Sequence, residues 1–166
     1  MLFCRKNDTR NMAKSIIGLV VLISVIILFI HNKMEKSKII TEIERAILKW
    51  DETSIGDADF GAITFLYKRK EFGHIHKNGD LDITFGERMT EKLLSKGLVE
   101  KHLYVHKTNI TYPVPDDESL SFAISLLRMS YLSHFININK GDTISQEIFD
   151  KELAKLPESL SSIYMK

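Results

Sequence analysis

The chain has one cysteine, three prolines and one tryptophan in 166 residues, and its formal net charge is only +1. The lone thiol, Cys4, allows no intramolecular disulfide and no Cys-x-x-Cys metal site. Only "MLF" precedes it, without a basic n-region or an apolar h-region, which argues against a lipoprotein signal. Basic residues are scattered, and the densest run, "YKRK" at 67–70, is answered by Glu71, so no nucleic-acid partner is expected. Gly-x-Ser-x-Gly, Ser-x-x-Lys and P-loop stretches are missing from the sequence, which removes support for acyl transfer at a serine and for nucleotide binding. Internal repeats and low-complexity segments are absent as well.

The most pronounced feature present is "SIIGLVVLISVIILFI", Ser15 to Ile30, with no charge and nothing more polar than two serines. As a helix it spans roughly 24 Å against the ~30 Å of a hydrocarbon core, and Met12, Ala13 and a snorkelling Lys14 extend it. A cleaved signal peptide would need a small-x-small site, whereas "HNKMEKSK" follows. A buried core helix would show a polar face somewhere. The reading is an uncleaved anchor through residues 15–31, with the lipid bilayer as partner. Arg5, Lys6, Arg10 and Lys14 precede the span; Lys33, Lys36 and Lys38, diluted by Glu35, follow it. That bias predicts a cytoplasmic N-terminus and an extracytoplasmic soluble part.

The remaining organisation reads as a tail at 1–14, a connecting amphipathic helix at 32–51, an α+β domain at 52–137 and a helical extension at 138–166. Ile39, Ile40, Ile43, Ile47 and Leu48 give the connecting helix an apolar face. "DETSIGDAD" predicts a loop, "FGAITFLYKR" a strand, and "EFGHIH" and "LDITF" two strands joined at Asn78-Gly79. Alternation places Phe72, His74 and His76 on one face of their strand, with Gly73 and Ile75 on the other. In the return strand, Leu81, Ile83 and Phe85 oppose Asp82 and Thr84. A helix ending at Gly97, strand character in "LVEKHLYVH" and "TNITYPV", and a long helix capped by Asp116 or Asp117 follow. The buried stripe of the long helix is read as Leu120, Ala123, Ile124, Leu127, Tyr131 and Phe135. A last helix runs from about Thr143 to Leu156 and stops before Pro157. Such a mixture of hairpins and helices predicts an antiparallel or mixed sheet packed by helices.

His74 and His76 project the same way from one strand, at a spacing that can ligate one metal ion. His102 offers a third imidazole, and Asp80 and Asp82 could ligate or orient. A divalent ion held this way would polarise a water or a carbonyl. The plainer alternative is a hairpin whose imidazoles bond to neighbouring carboxylates, because His-x-His recurs in strands and here lacks the Asp-His of the well-known metallo-hydrolase pattern. A metal-free small-ligand pocket is a third reading. Arg128 either clamps an anionic ligand or pairs with Asp80 or Asp82. His31, His106 and His134 read as surface or packing residues.

The stretches "FGHIHKNGDLDITFGERMTEKLLSKGLVEKH" and "DDESLSFAISLLRMSYL" resemble, in order and almost without gaps from about Phe60 to Tyr131, the small bacterial domain known as the luciferase domain. The resemblance singles out Gly73, His74, His76, Asp82, His102, Arg128 and Tyr131. It departs at Gly86, where relatives tend to have proline, and at Asn109-Ile110, where they tend to have Gly-Trp. It implies a shared fold and shared polar positions without a defined biochemical role. Light emission is not expected, since a flavin-dependent luciferase needs a (β/α)8 barrel of about 250 residues. Two functions follow as expectations. One is a membrane-held binding or accessory module of unknown small-molecule or protein partner. The other is a small metal-assisted enzyme using His74, His76, His102, Asp82 and Arg128.

Overall fold

The computed structural model describes residues 5–165, so Cys4 lies outside the described residues, as do the side chains of Arg5, Lys6 and Arg10. The first helix, α1, runs from Arg5 to Ile47. The chain divides after Glu35 into two compact units. In the first, the apolar side chains from Ile16 to Ile30 all face outward. The helix has a stretch of mean hydropathy 2.5, none of it buried, and is long and apolar enough to cross a membrane.

The second unit is α+β. Its strands are β1 (Thr53–Asp57), β2 (Ile63–Tyr67), β3 (Lys70–Ile75), β4 (Asp80–Thr84), β5 (Glu100–Lys101) and β6 (Asn109–Pro113). They form one antiparallel sheet in the order β1-β2-β3-β4-β6-β5. Between and after them come α2 (Glu87–Ser95), α3 (Asp117–Ile138), α4 (Thr143–Leu153) and α5 (Glu158–Met165).

The helix α3 packs across β2, β3 and β4, α4 lies against α3, and the end of α1 enters the same core. Ile39, Ile43 and Ile47, each fully buried, bring the α1 stripe into the same core as Phe65, Phe72, Leu81, Ile83 and Leu127. Each such side chain contributes roughly 1.5–3 kcal/mol of burial. Leu48, expected in that stripe, is exposed: its N–H still bonds to the Glu44 carbonyl, and at about 100° per residue it falls outside the face of Ile39, Ile43 and Ile47. In α3 the buried set is Ala123, Leu126, Leu127 and Met129 through Leu132. Leu120, Ile124 and Phe135 only pack against its edge. The helix is capped by Asp116, whose carboxylate accepts from the Ser119 N–H.

Several local expectations are corrected. The presumed loop at 51–59 contains β1, whose turn-forming residues are held at the sheet edge by pairing with β2 from Thr53↔Tyr67 to Asp57↔Ile63. Phe60 is not in a strand but in a short 3-10 turn with φ 58°. The segment "LVEKHLYVH" keeps only two residues of strand. The helix expected to reach Leu156 ends at Leu153, and Pro157 instead leads into α5, which packs against α2.

The main surprise lies in β3. The register with β2 shifts between Phe65 and Leu66, which face Gly73 and Glu71 and leave Phe72 as the extra residue of a β-bulge. The bulge resets the alternation. Phe72 therefore points into the core, against Trp50, Phe65 and Tyr131, instead of sharing a face with His74 and His76. It also brings Glu71, which plain alternation assigns to the opposite face from His74, round to the histidine side.

Candidate metal and ligand cleft

Strand register assembles the site. Across the sheet, Thr64 faces His74, His74 faces Asp82, Asp82 faces Thr111, and Thr111 faces Glu100. This polar row lies on the face opposite the helices. The hairpin that carries it turns through Asn78 and Gly79, where Gly79 has φ +94° and an added Cβ would sit 2.9 Å from the Val114 carbonyl oxygen. Only glycine suits that position.

Asp82 is the hub. It is only 7% exposed, on the helix-free face of a sheet whose other side is apolar. Its Oδ1 accepts from the Thr111 hydroxyl at 2.5 Å. Its Oδ2 has the Nε2 atoms of His76 at 3.1 Å, His102 at 3.4 Å and His74 at 3.5 Å. His74 donates through Nδ1 to Glu71 Oε1 at 2.7 Å, and the other Glu71 oxygen accepts from Thr64 at 2.9 Å. The rings of His74 and His76 have centroids 5.0 Å apart in an edge-on arrangement.

These contacts set the electrostatics. Asp82 and then Glu71 lift the His74 imidazole to about 9, outweighing its burial. Burial pushes the Asp82 carboxyl up, but bonds from His74 and Thr111 and the proximity of His102 and His76 bring it down to about 2. Glu71 is lowered chiefly by its bond to His74. Metal-free, the cluster is thus an imidazolium held between two carboxylates.

The His102 tautomer is fixed by the backbone. Its Nδ1 accepts from the N–H groups of Tyr104 at 3.0 Å and Val105 at 2.9 Å, so the neutral ring carries its proton on Nε2, facing Asp82. The loop after β5 is shaped for this, and His106 Nδ1 adds a bond to the His102 carbonyl.

Above the cluster opens a cleft of about 670 Å³ lined by strand and loop residues, with Glu71, His74, His76, Asp82 and His102 inside. Its rim is apolar and solvent-facing: Phe60 is 98% exposed, Tyr104 80% and Leu103 71%. Among the described residues, one ligand atom each from His74, His76 and Asp82 lies within 4.8 Å of the others, close enough to hold one metal ion.

Other candidate residues fall elsewhere. Asp80 lines the cleft but serves the turn, with its N–H donating to Asn78 Oδ1 and its carboxylate accepting from Asn78 Nδ2. Arg128 pairs with neither Asp80 nor Asp82. It donates to Glu152 of α4 at 2.9 Å and lies over the rings of Trp50 and Tyr131, because its position on α3 faces the helical layer. Gly73 and Tyr131 sit on that side too. An added Cβ at Gly73 would lie 3.0 Å from Leu127, and the Tyr131 hydroxyl donates to the Asp51 carbonyl. His134 donates to the Ser130 carbonyl within α3.

Three residues of the cluster, Thr64, Glu71 and Thr111, escaped the sequence reading. Thr111 had a signal, since alternation along β6 puts it on the Asn109 face. Glu71 had none, because only the bulge brings it round.

No curated protein and no solved structure matches the chain. Residues 69–130, from the turn before β3 to the middle of α3, match the family model described as the luciferase domain; it is the family that the sequence pattern resembles, and the matched span contains Glu71, His74, His76, Asp82, His102 and Thr111.

Proposed function

We propose that the protein is a membrane-held binding module whose working surface is the cleft on the helix-free face of the sheet. The apolar part of α1 would anchor it in the bilayer, and the excess of basic residues before that stretch favours an extracytoplasmic domain. The observation that carries the binding reading is the convergence of exposed apolar side chains on one polar cluster. Phe60, Leu103 and Tyr104 surround the opening above His74, His76 and Asp82, and Phe60 does so in a left-handed backbone conformation that costs a non-glycine residue of order 1–3 kcal/mol. An apolar rim over convergent polar groups suits a small ligand with both characters.

The test is a thermal-shift screen of small carboxylates, phosphates and amphiphiles on the full chain in detergent. Phe60→Ala/Tyr104→Ala serves as the comparison. The reading expects a ligand that raises the Tm of the wild type and loses most of that effect in the double variant. Equal shifts in both proteins would contradict it.

A second reading, a small metal-assisted enzyme, is favoured by one observation, the placement of three imidazole nitrogens within 3.5 Å of a single carboxylate oxygen. Arg128 stands apart from that cluster, its Nη2 donating to Glu152 and its guanidinium lying over Trp50 and Tyr131.

A further inference from the structure

The geometry points to a divalent transition-metal ion held by His74, His76 and the Oδ2 of Asp82, with its remaining positions open to the cleft. This deepens the binding reading and rests on it, naming what the floor of the cleft holds.

The first argument is distance. An ion bonded at about 2.0–2.2 Å to imidazole nitrogen and carboxylate oxygen sets neighbouring ligand atoms about 3–3.5 Å apart at angles between right and tetrahedral. Nε2 of His76 and of His74 stand 3.1 and 3.5 Å from Asp82 Oδ2. The three residues each offer an atom within 4.8 Å of the others, so closing on an ion needs little movement.

The second argument is the surrounding shell, which carries more weight. A ligating imidazole needs its other nitrogen fixed by an acceptor, and a ligating carboxylate needs its second oxygen occupied. His74 meets the first requirement through Glu71, itself held by Thr64. Asp82 meets the second through Thr111 on Oδ1, which leaves Oδ2 toward the histidines. The result is one continuous chain, Thr64–Glu71–His74, then the ion position, then Asp82–Thr111, laid across four strands. The β-bulge at Phe72 is the device that puts Glu71 into it.

His102 plays a different part from the other two histidines. With Nδ1 committed to two backbone N–H groups, its Nε2 carries a proton and faces Asp82, which makes it a positioning residue. The ligand set is therefore two histidines and one carboxylate. Such a set leaves exchangeable positions and suits zinc, cobalt(II) or iron(II) better than magnesium or calcium, whose preference is for oxygen. A carboxylate or phosphate on the cleft ligand is the chemistry those positions would accept.

The test is titration of the untagged full chain in detergent, stripped by chelator and desalted, with cobalt(II) followed by its visible absorption and with zinc in competition. One equivalent of cobalt(II) should bind, zinc should displace it, and excess magnesium or calcium should not. His76→Ala and Asp82→Asn should each abolish saturable binding, Glu71→Gln should weaken it about 10–100-fold, and His31→Ala should leave it unchanged. Far-UV circular dichroism establishes that each variant is folded. A folded wild type without saturable cobalt(II) uptake would overturn the inference. Uptake that survives both Asp82→Asn and His76→Ala, or that calcium reverses, would do so as well. None of these outcomes touches the ligand screen on the Phe60 and Tyr104 rim, so the metal and the binding reading fail separately.

Discussion

In the metal-free protein, stability should fall as pH rises through the titration of His74. The folded-state imidazole is lifted from 6.5 to about 9, so its proton is held more tightly folded than unfolded. Its contribution is complete below about 6.5 and is lost as pH climbs through about 9. At about 1.4 kcal/mol per tenfold change in proton affinity, the ceiling is roughly 3.4 kcal/mol. The side chain keeps 21% of its surface in solvent, and the same contact to Asp82 must not be counted twice, so the expected loss is about 1–3 kcal/mol. Asp82 acts in the opposite sense. Its carboxyl is depressed from 3.8 to about 2, so its contribution is present above 3.8 and disappears as pH falls toward 2. The cluster is therefore most stabilising between about pH 4 and 6.5. Urea unfolding followed by Trp50 fluorescence suits the measurement, since that ring packs on Phe72 and Tyr131. Wild type should lose about 1–3 kcal/mol between pH 6 and pH 9.5, and His74→Gln should lose much less. An equal loss in both proteins, or a gain in wild type, would refute the reasoning.

Other consequences follow from the same contacts. Because His74 must shed its proton to ligate, cobalt(II) affinity should rise about tenfold per pH unit between 7 and 9 and then level off, as competition titrations would read. Gly73→Ala should destabilise by about 1–3 kcal/mol, because its Cβ would lie 3.0 Å from both the Asp82 carbonyl oxygen and Leu127, and the backbone of β4 cannot give way cheaply. Ser130→Ala should cost about 1–3 kcal/mol in urea unfolding, because the buried hydroxyl bridges the carbonyls of Phe72, at the bulge of β3, and Thr84, the last residue of the adjacent β4. Arg128→Ala should cost a similar amount, about 1–3 kcal/mol, by loosening α4 from α3, while cobalt(II) binding stays as in wild type.

Much of the architecture could be read from the residues because local and global preferences agree there. The uncharged run before Ile30, the Asp116 cap of α3, the Asn78-Gly79 turn and the alternation of Leu81, Ile83 and Phe85 against Asp82 are each dictated by a period or a single backbone requirement. The convergence of His74, His76 and Asp82 was legible for the same reason, since a tight hairpin pairs His74 with Asp82. What could not be read depends on contacts distant in sequence. No local pattern announces the bulge at Phe72, which exchanges the faces of Phe72 and Glu71. The strand at 53–57 mixes Thr53 and Ile55 with the turn-favouring Ser54, Gly56 and Asp57, and its extended form is held by pairing with β2. Arg128 finds its partner in Glu152, twenty-four positions later and on another helix, where spacing gives no guidance.

The most direct test of the metal-bearing cleft is the metal content of the full chain, purified untagged and without chelator, beside Asp82→Asn prepared identically. Elemental analysis should find close to one transition-metal ion per wild-type chain and almost none in the variant. A folded wild type free of metal, or equal metal in the two proteins, would contradict the account.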